Sequence, residues 1–226
     1  MPGISSELNH TYKGLRIMDL DKVKEVFFLS ARDLKKEEQE FSALDTQTGD
    51  GDHGVTIARI ADVIMNTSKD TQITGLGLFF SAISEGIMAI NGGAIVPLWS
   101  MMMDGVSEAL AGQTEPDGEM VRKMIIGAMD GISSVSSAVP GDKTLLDALQ
   151  PAVTAAANAE GSCRDILGAA AKAAMDGAEK TRDMVAKYGR AKNMHERSLG
   201  HLDPGAVSLA VFINSLYKNS MEGGEI

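Results

Sequence analysis

At 226 residues the chain can form one large domain or two small ones. A formal net charge of −10 argues against nonspecific binding to nucleic acid or to an anionic membrane, although an acidic protein can still hold an anion through metal ions. Hydrophobic residues make up 44% and aromatic residues only 4%, with Ala, Gly and Met plentiful, a balance that favours closely packed helices over a β-sandwich.

Residues 1–17 lack clear periodicity and read as an N-terminal arm. Residues 18–220 read as one helical domain and 221–226 as a C-terminal tail. Leu20, Val23, Phe27 and Leu34 start the first helix, with Asp21 near its N-terminus. After an acidic, glycine-rich segment, Ile57, Ile60, Ala61 and Ile64 fall at i, i+3, i+4 and i+7. A third helix is expected from about Leu76 to Ala89 and a fourth from about Pro97 to Leu110. The apolar stretch between Leu76 and Met103 is broken by Glu85, Asn91, Gly92, Gly93 and Pro97, so it reads as two buried helices around a loop, not a membrane span. Val121, Ile125, Ala128 and Ile132 mark a fifth helix. Leu145 to Ala159 and Ile166 to Tyr188 give a sixth and a seventh, and Leu209, Phe212, Ile213 and Leu216 an eighth. Turn residues stand at the breaks, and no alternating strand pattern competes. The fold class read from this is all-α: an eight-helix, antiparallel up-and-down bundle. The lone Cys163 allows no intrachain disulfide, suits packing on a helix, and points to a cytoplasmic setting.

One segment has no packing explanation. Asp45, Asp50 and Asp52 crowd a turn made tight by Gly49, Gly51 and Gly54. Carboxylates held that close repel one another, and a hard cation removes the cost. Oxygen-only ligands on such a loop suit Mg²⁺ or Ca²⁺ better than zinc. The spacing Gly49-x-Gly51-x-x-Gly54 matches a dinucleotide fingerprint, but no β-branched run precedes it and carboxylates fill two intervening positions. An EF-hand starting at Asp50 fails, because its twelfth position is Ala61 in place of Glu. Helix capping explains one Asp but not three in this spacing.

In an up-and-down bundle, alternate loops gather at one end. The acidic loop follows helix one, Gly92-Gly93-Ala94 helix three, Pro140 to Thr144 helix five, and Gly189 to Gly205 helix seven. All four are therefore expected at the same end, and they are the chain's unusual loops. Gly92 and Gly93 let backbone approach a ligand. Asp142, Lys143 and Thr144 precede a helix, where free N–H groups favour an anion. Arg190 can pair with phosphate oxygens. Asp203-Pro204-Gly205 reads as an N-cap followed by Pro at N1. Each also has a plain reading: Gly92-Gly93 as a turn, Asp142 and Asp203 as caps, Lys143, Arg190 and Arg197 as solvated charges, and His53, His195 and His201 as hydrogen-bonded structural residues.

These segments resemble the nucleotide-binding L subunit of dihydroxyacetone kinases. The resemblance is carried in order by Leu44-Asp45, Gly49 to Gly54, Gly92-Gly93-Ala94, Pro140 to Thr144, Gly189-Arg190-Ala191 and Glu196 to Ala206. It implies an eight-helix barrel with ADP or ATP at one end, and two Mg²⁺ ions held by Asp45, Asp50 and Asp52. It suggests nucleotide contacts from His53, Gly54, Val55, Thr56, Ala94, Ile95, Ser136, Leu145, Arg190, Asp203, Pro204 and Gly205. The family usually carries Ser-Gly before the proline of the Gly-Gly loop, whereas Ile95-Val96 precedes Pro97 here. This departure bears on nucleotide affinity, loop closure and substrate.

The resemblance implies a phosphotransferase subunit that works by positioning and charge neutralisation, with no covalent nucleophile and no catalytic residue beyond the metal-binding aspartates. A small ketose, dihydroxyacetone or a relative, would be held on a separate K subunit, without which this chain is expected to be inactive. The phosphoryl donor is either ATP or a phosphohistidine carrier protein that recharges bound ADP. A homodimer is compatible with the sequence, and no nucleic-acid or membrane partner is expected. The alternative reading is a non-catalytic, nucleotide-binding regulatory subunit.

Overall fold

A computed structural model describes residues 20–113 and 118–220. The arm assigned to 1–17 and the tail assigned to 221–226 lie outside the described residues. Among the described residues the chain is helical and contains no strand. The helices are α1 (Leu20–Lys36), α2 (Glu38–Thr48), α3 (His53–Ser68), α4 (Leu76–Met88), α5 (Ile95–Ala109), α6 (Gly118–Ser133), α7 (Leu146–Asn158), α8 (Cys163–Lys180) and α9 (Pro204–Asn219), with 3-10 turns at Thr181–Asp183 and Ala191–Ser198. No described helix is long and apolar enough to cross a membrane.

The expected count of eight becomes nine among the described residues, because α2 precedes the acidic loop. It buries only Phe41 and Thr48, too few to produce a visible period. Its arrival does not upset the alternation of loops. Only Glu37 separates α1 from α2, and its backbone bonds to Leu34 and Phe41 on either side. Both helices pack on α3 and α9 and barely touch one another. They form one bent stave. Contacts then run α1–α3–α4–α5–α6–α7–α8–α9 and back to α1, closing a ring of eight staves.

The ring closes around side chains that the 3.6-residue period predicts. Phe27 of α1 meets Phe79 and Phe80 of α4 and Phe212 of α9 edge-on, with ring centroids 5.0–5.8 Å apart, and Trp99 of α5 lies against Phe212. Elsewhere small residues bring backbones together. A methyl group built on Gly131 of α6 would run into the Met101 carbonyl of α5, and one on Gly105 into the Gly127 carbonyl.

The seventh predicted helix ends early. It was expected to reach Tyr188, but α8 stops at Lys180 and the chain is extended at Met184. Tertiary hydrogen bonds override the helical pattern here. The Thr181 hydroxyl accepts from the Asp203 N–H, and the Met184 carbonyl is taken by the Lys143 ammonium.

Candidate functional site

The four unusual loops do converge. They line one cavity of about 530 Å³ at an end of the ring, together with the last turn of α6. Alternation of short connections around the bundle is what brings them there.

The acidic triad forms its floor. Asp45 lies in the last turns of α2, Asp50 in the turn, and Asp52 just before α3. One carboxylate oxygen from each lies within 4.8 Å of the others. Gly51 makes the turn at φ +80°, a conformation that favours glycine. The His53 N–H donates to Asp45 at 3.3 Å, and Arg190 forms an ion pair with Asp50. An oxygen-only donor set with two members exposed to the cavity fits a hard divalent cation. The N-terminus of α3 follows directly, and its dipole favours negative charge there.

Other predicted residues separate into those that face the cavity and those that support it. Ala94, Ile95, Ser136, Leu145, Arg190, Asp203, Pro204 and Gly205 all line it, as does His53. Gly54, Val55 and Thr56 do not. Gly54 is buried against the Glu38 carbonyl and Ser42, Thr56 is buried beside Gly92, and Val55 is 40% exposed. The departure at Ile95-Val96 divides in the same way. Val96 packs inward against Gly92, while Ile95 sits on the cavity wall near Gly205.

His53, at the cavity, also braces two helices. Its Nε2 lies 3.0 Å from the Ser208 hydroxyl, joining α3 to α9. Burial pushes its pKa down to about 4, against the pull of Asp45 and a hydrogen bond to the Pro204 backbone. Asp203 caps α9 as predicted, accepting from Ala206 N–H at 2.7 Å. Burial pushes its carboxyl up to about 7; the Ala206 bond and Lys143 oppose this, and Asp147 and Asp45 add to it.

The expectation for Asp142-Lys143-Thr144 requires correction. The N–H groups of Gly141, Asp142, Thr144 and Leu146 are already used within the turn. Asp147 accepts from Gly141 and Thr144, and the Thr144 hydroxyl accepts from Leu146 N–H. Asp142 accepts from Val139 N–H and pairs with Lys187, so its carboxyl stays below the usual carboxylate range. Lys143 is not a solvated charge: it is 2% exposed and donates to three backbone carbonyls.

The sequence reading missed the cavity's apolar wall, made by Leu98, Ile132, Val135, Leu146 and Tyr188. Tyr188 also reaches Ser137 across the rim, hydroxyl to hydroxyl, at 3.2 Å. A flat apolar ring could lie on this wall while a charged tail reached the triad. One wall residue had a signal in the sequence: Ile132 is among the four that mark the fifth predicted helix. The others had none.

Comparison with known proteins follows the same lines. Residues 47–218 match the model of the DAK2 domain. The chain is 31% identical, over 188 residues, to the ADP-binding subunit DhaL of PEP-dependent dihydroxyacetone kinase 1 of Listeria innocua, covering 83% of this chain and 90% of that protein. It is 31% identical to the L-erythrulose kinase of Pectobacterium atrosepticum over 78% of this chain, which is 31% of that enzyme. The dihydroxyacetone kinase of C. freundii, solved with AMP-PNP and Mg²⁺, shares the fold at a TM-score of 0.70 and 26% identity, over 96% of this chain and 37% of that one. This chain therefore spans about a third of the length of those larger kinases and nearly all of a free-standing subunit. The all-α fold and the resemblance carried by the loop motifs are both borne out.

Proposed function

We infer function from one premise: the chain belongs to the DAK2 domain family. We propose that it is the nucleotide- and Mg²⁺-binding subunit of a dihydroxyacetone or related ketose kinase, passing a phosphoryl group from bound ATP, or from ADP recharged by a phosphohistidine carrier, to a ketose held on a separate K subunit. The observation that carries this reading is the clustering of Asp45, Asp50 and Asp52 within 4.8 Å at the charged end of a cavity whose other end is apolar.

In this reading the three aspartates hold two Mg²⁺ ions, which supply charge neutralisation for the phosphates when bound. Arg190, which pairs with Asp50 here, would offer a bound phosphate a charge-assisted contact. Ile95, Leu98, Ile132, Val135 and Tyr188 receive the base and exclude water from it. His53, neutral at physiological pH, keeps α3 seated on α9 and so fixes the triad's distance from the Asp203 cap. None of these side chains is required to act as a nucleophile.

The test is thermal unfolding with ADP, with and without Mg²⁺, on protein first freed of carried-over nucleotide. A ligand that binds only the folded state must raise the midpoint. A rise that needs both ADP and Mg²⁺ is expected. No rise would remove the assignment.

A further inference from the structure

Between α8 and α9 the chain leaves the ring as the segment 184–202, which carries Tyr188, Gly189 and Arg190 to the cavity. Little of this segment is regular, and its 3-10 turn contains His195 at φ +53°, an uncommon conformation for a residue with a side chain. Its neck is closed by a reciprocal pair: Gly200 N–H donates to the Arg182 carbonyl at 2.8 Å, and the Arg182 guanidinium to the Gly200 carbonyl at 3.0 Å. Within the segment the Ser198 hydroxyl accepts from Ala186 N–H and donates to the His195 carbonyl.

The turn between α6 and α7 holds this segment from the other side. Lys143 stands there at φ +61°, almost fully buried. Its Nζ donates to the carbonyls of Met184 at 3.1 Å, His201 at 2.6 Å, and Ser198. An ammonium has three donors, and each has a carbonyl. These carbonyls belong to the start, the late middle and the end of the segment. Beside it, Asp142 accepts from both the backbone N–H and the ammonium of Lys187. Burying a lysine charge is costly unless it is fully hydrogen-bonded, and a strained backbone adds to that cost. A neutral side chain could fill the space but could not gather three carbonyls at one point.

We propose that Lys143 is a positioning residue for nucleotide binding: by tying together the carbonyls of Met184, Ser198 and His201, it shapes the segment 184–202 so that Arg190 faces the acidic triad and the phosphates. This rests on the nucleotide-binding reading above. Lys143 borders the cavity, but its three donors are spent on those carbonyls, so it acts through Arg190.

The experiment is a double-mutant cycle on the full chain, with Lys143→Met, Arg190→Ala and the pair, reading ADP affinity at saturating Mg²⁺. Losing an arginine–phosphate contact should weaken ADP by about 10- to 100-fold. Lys143→Met should cost about the same, and the double variant no more than either single change, because a misplaced arginine has nothing left to lose. Mn²⁺ binding without nucleotide, followed by electron paramagnetic resonance, should survive in Lys143→Met. Aminoethylation of Lys143→Cys in a Cys163→Ser background restores a primary amine and should restore ADP affinity, whereas carboxamidomethylation should not. If circular dichroism shows Lys143→Met to be unfolded, Ser198→Ala takes its place in the cycle, since it loosens the same segment. Affinity within about twofold of wild type, or losses that simply add, would overturn the assignment. Failure of the wild-type chain to bind ADP would overturn the nucleotide reading itself, and this inference with it.

Discussion

Changing Asp52 to Asn should make the ligand-free protein more stable and the liganded protein less stable than wild type. The reason lies in the triad. With carboxylate oxygens up to 4.8 Å apart and two of the three residues exposed, each pair repels by about 1 kcal/mol in a water-like dielectric. Asp52 takes part in two such pairs. Arg190, paired with Asp50, and salt in the buffer together reduce the relief, leaving about 1 kcal/mol. Asp52 makes no side-chain capping bond to α3, so the amide removes charge without removing a cap. For a chain of this size the midpoint should rise by about 2–4 °C in EDTA. With Mg²⁺ and ADP at about 100 times the dissociation constant, wild type should gain about 2.7 kcal/mol, or about 5–11 °C, and the variant little of it. The two melting curves should therefore exchange order between EDTA and MgADP in differential scanning calorimetry. A variant that melts below wild type in EDTA, or that keeps the full Mg²⁺-dependent shift, would refute the account of the triad as a strained cation site.

Three further outcomes are expected. In metal-free protein, His53 is held neutral with a folded pKa of about 4 against an ordinary value of 6.5, so its contribution is present above pH 6.5 and is lost as pH falls through 4, by about 3 kcal/mol. Asp203, raised to about 7, acts in the opposite sense over much of that window and offsets His53 in the wild type, so the measure is the wild-type minus His53→Gln unfolding free energy, which should fall by about 3 kcal/mol between pH 7 and pH 4. Gly131→Ala should cost about 1–3 kcal/mol in urea unfolding, because the new methyl group meets the Met101 backbone of α5 and forces the two helices apart. Finally, the chain alone should form no sugar phosphate from a ketose and a phosphoryl donor, and a K subunit should restore the product. Absence of product in the complete mixture would favour a regulatory role.

Much of this was legible in the chain. Ile57, Ile60, Ala61 and Ile64 announced α3, and all four are buried. Asp203-Pro204 marked the start of α9 to the residue. The triad showed itself because three carboxylates among glycines satisfy no packing need. Even the gathering of four loops followed from alternation, and it survived the unforeseen α2 because α1 and α2 share one stave. What could not be read was any feature set by contacts between residues distant in sequence. The pattern carried helix seven to Tyr188, yet α8 stops at Lys180, where the Asp203 N–H takes the Thr181 hydroxyl and Lys143 takes the Met184 carbonyl. The same capture turned Lys143 from an expected surface charge into a buried tie. Local periodicity determined which residues are helical and which loops carry the charge, since both depend on neighbours a turn or less away. Only the folded ring decided where each helix ends and what each loop side chain touches, since those partners stand 22 to 58 residues apart in the chain and meet only when the staves close.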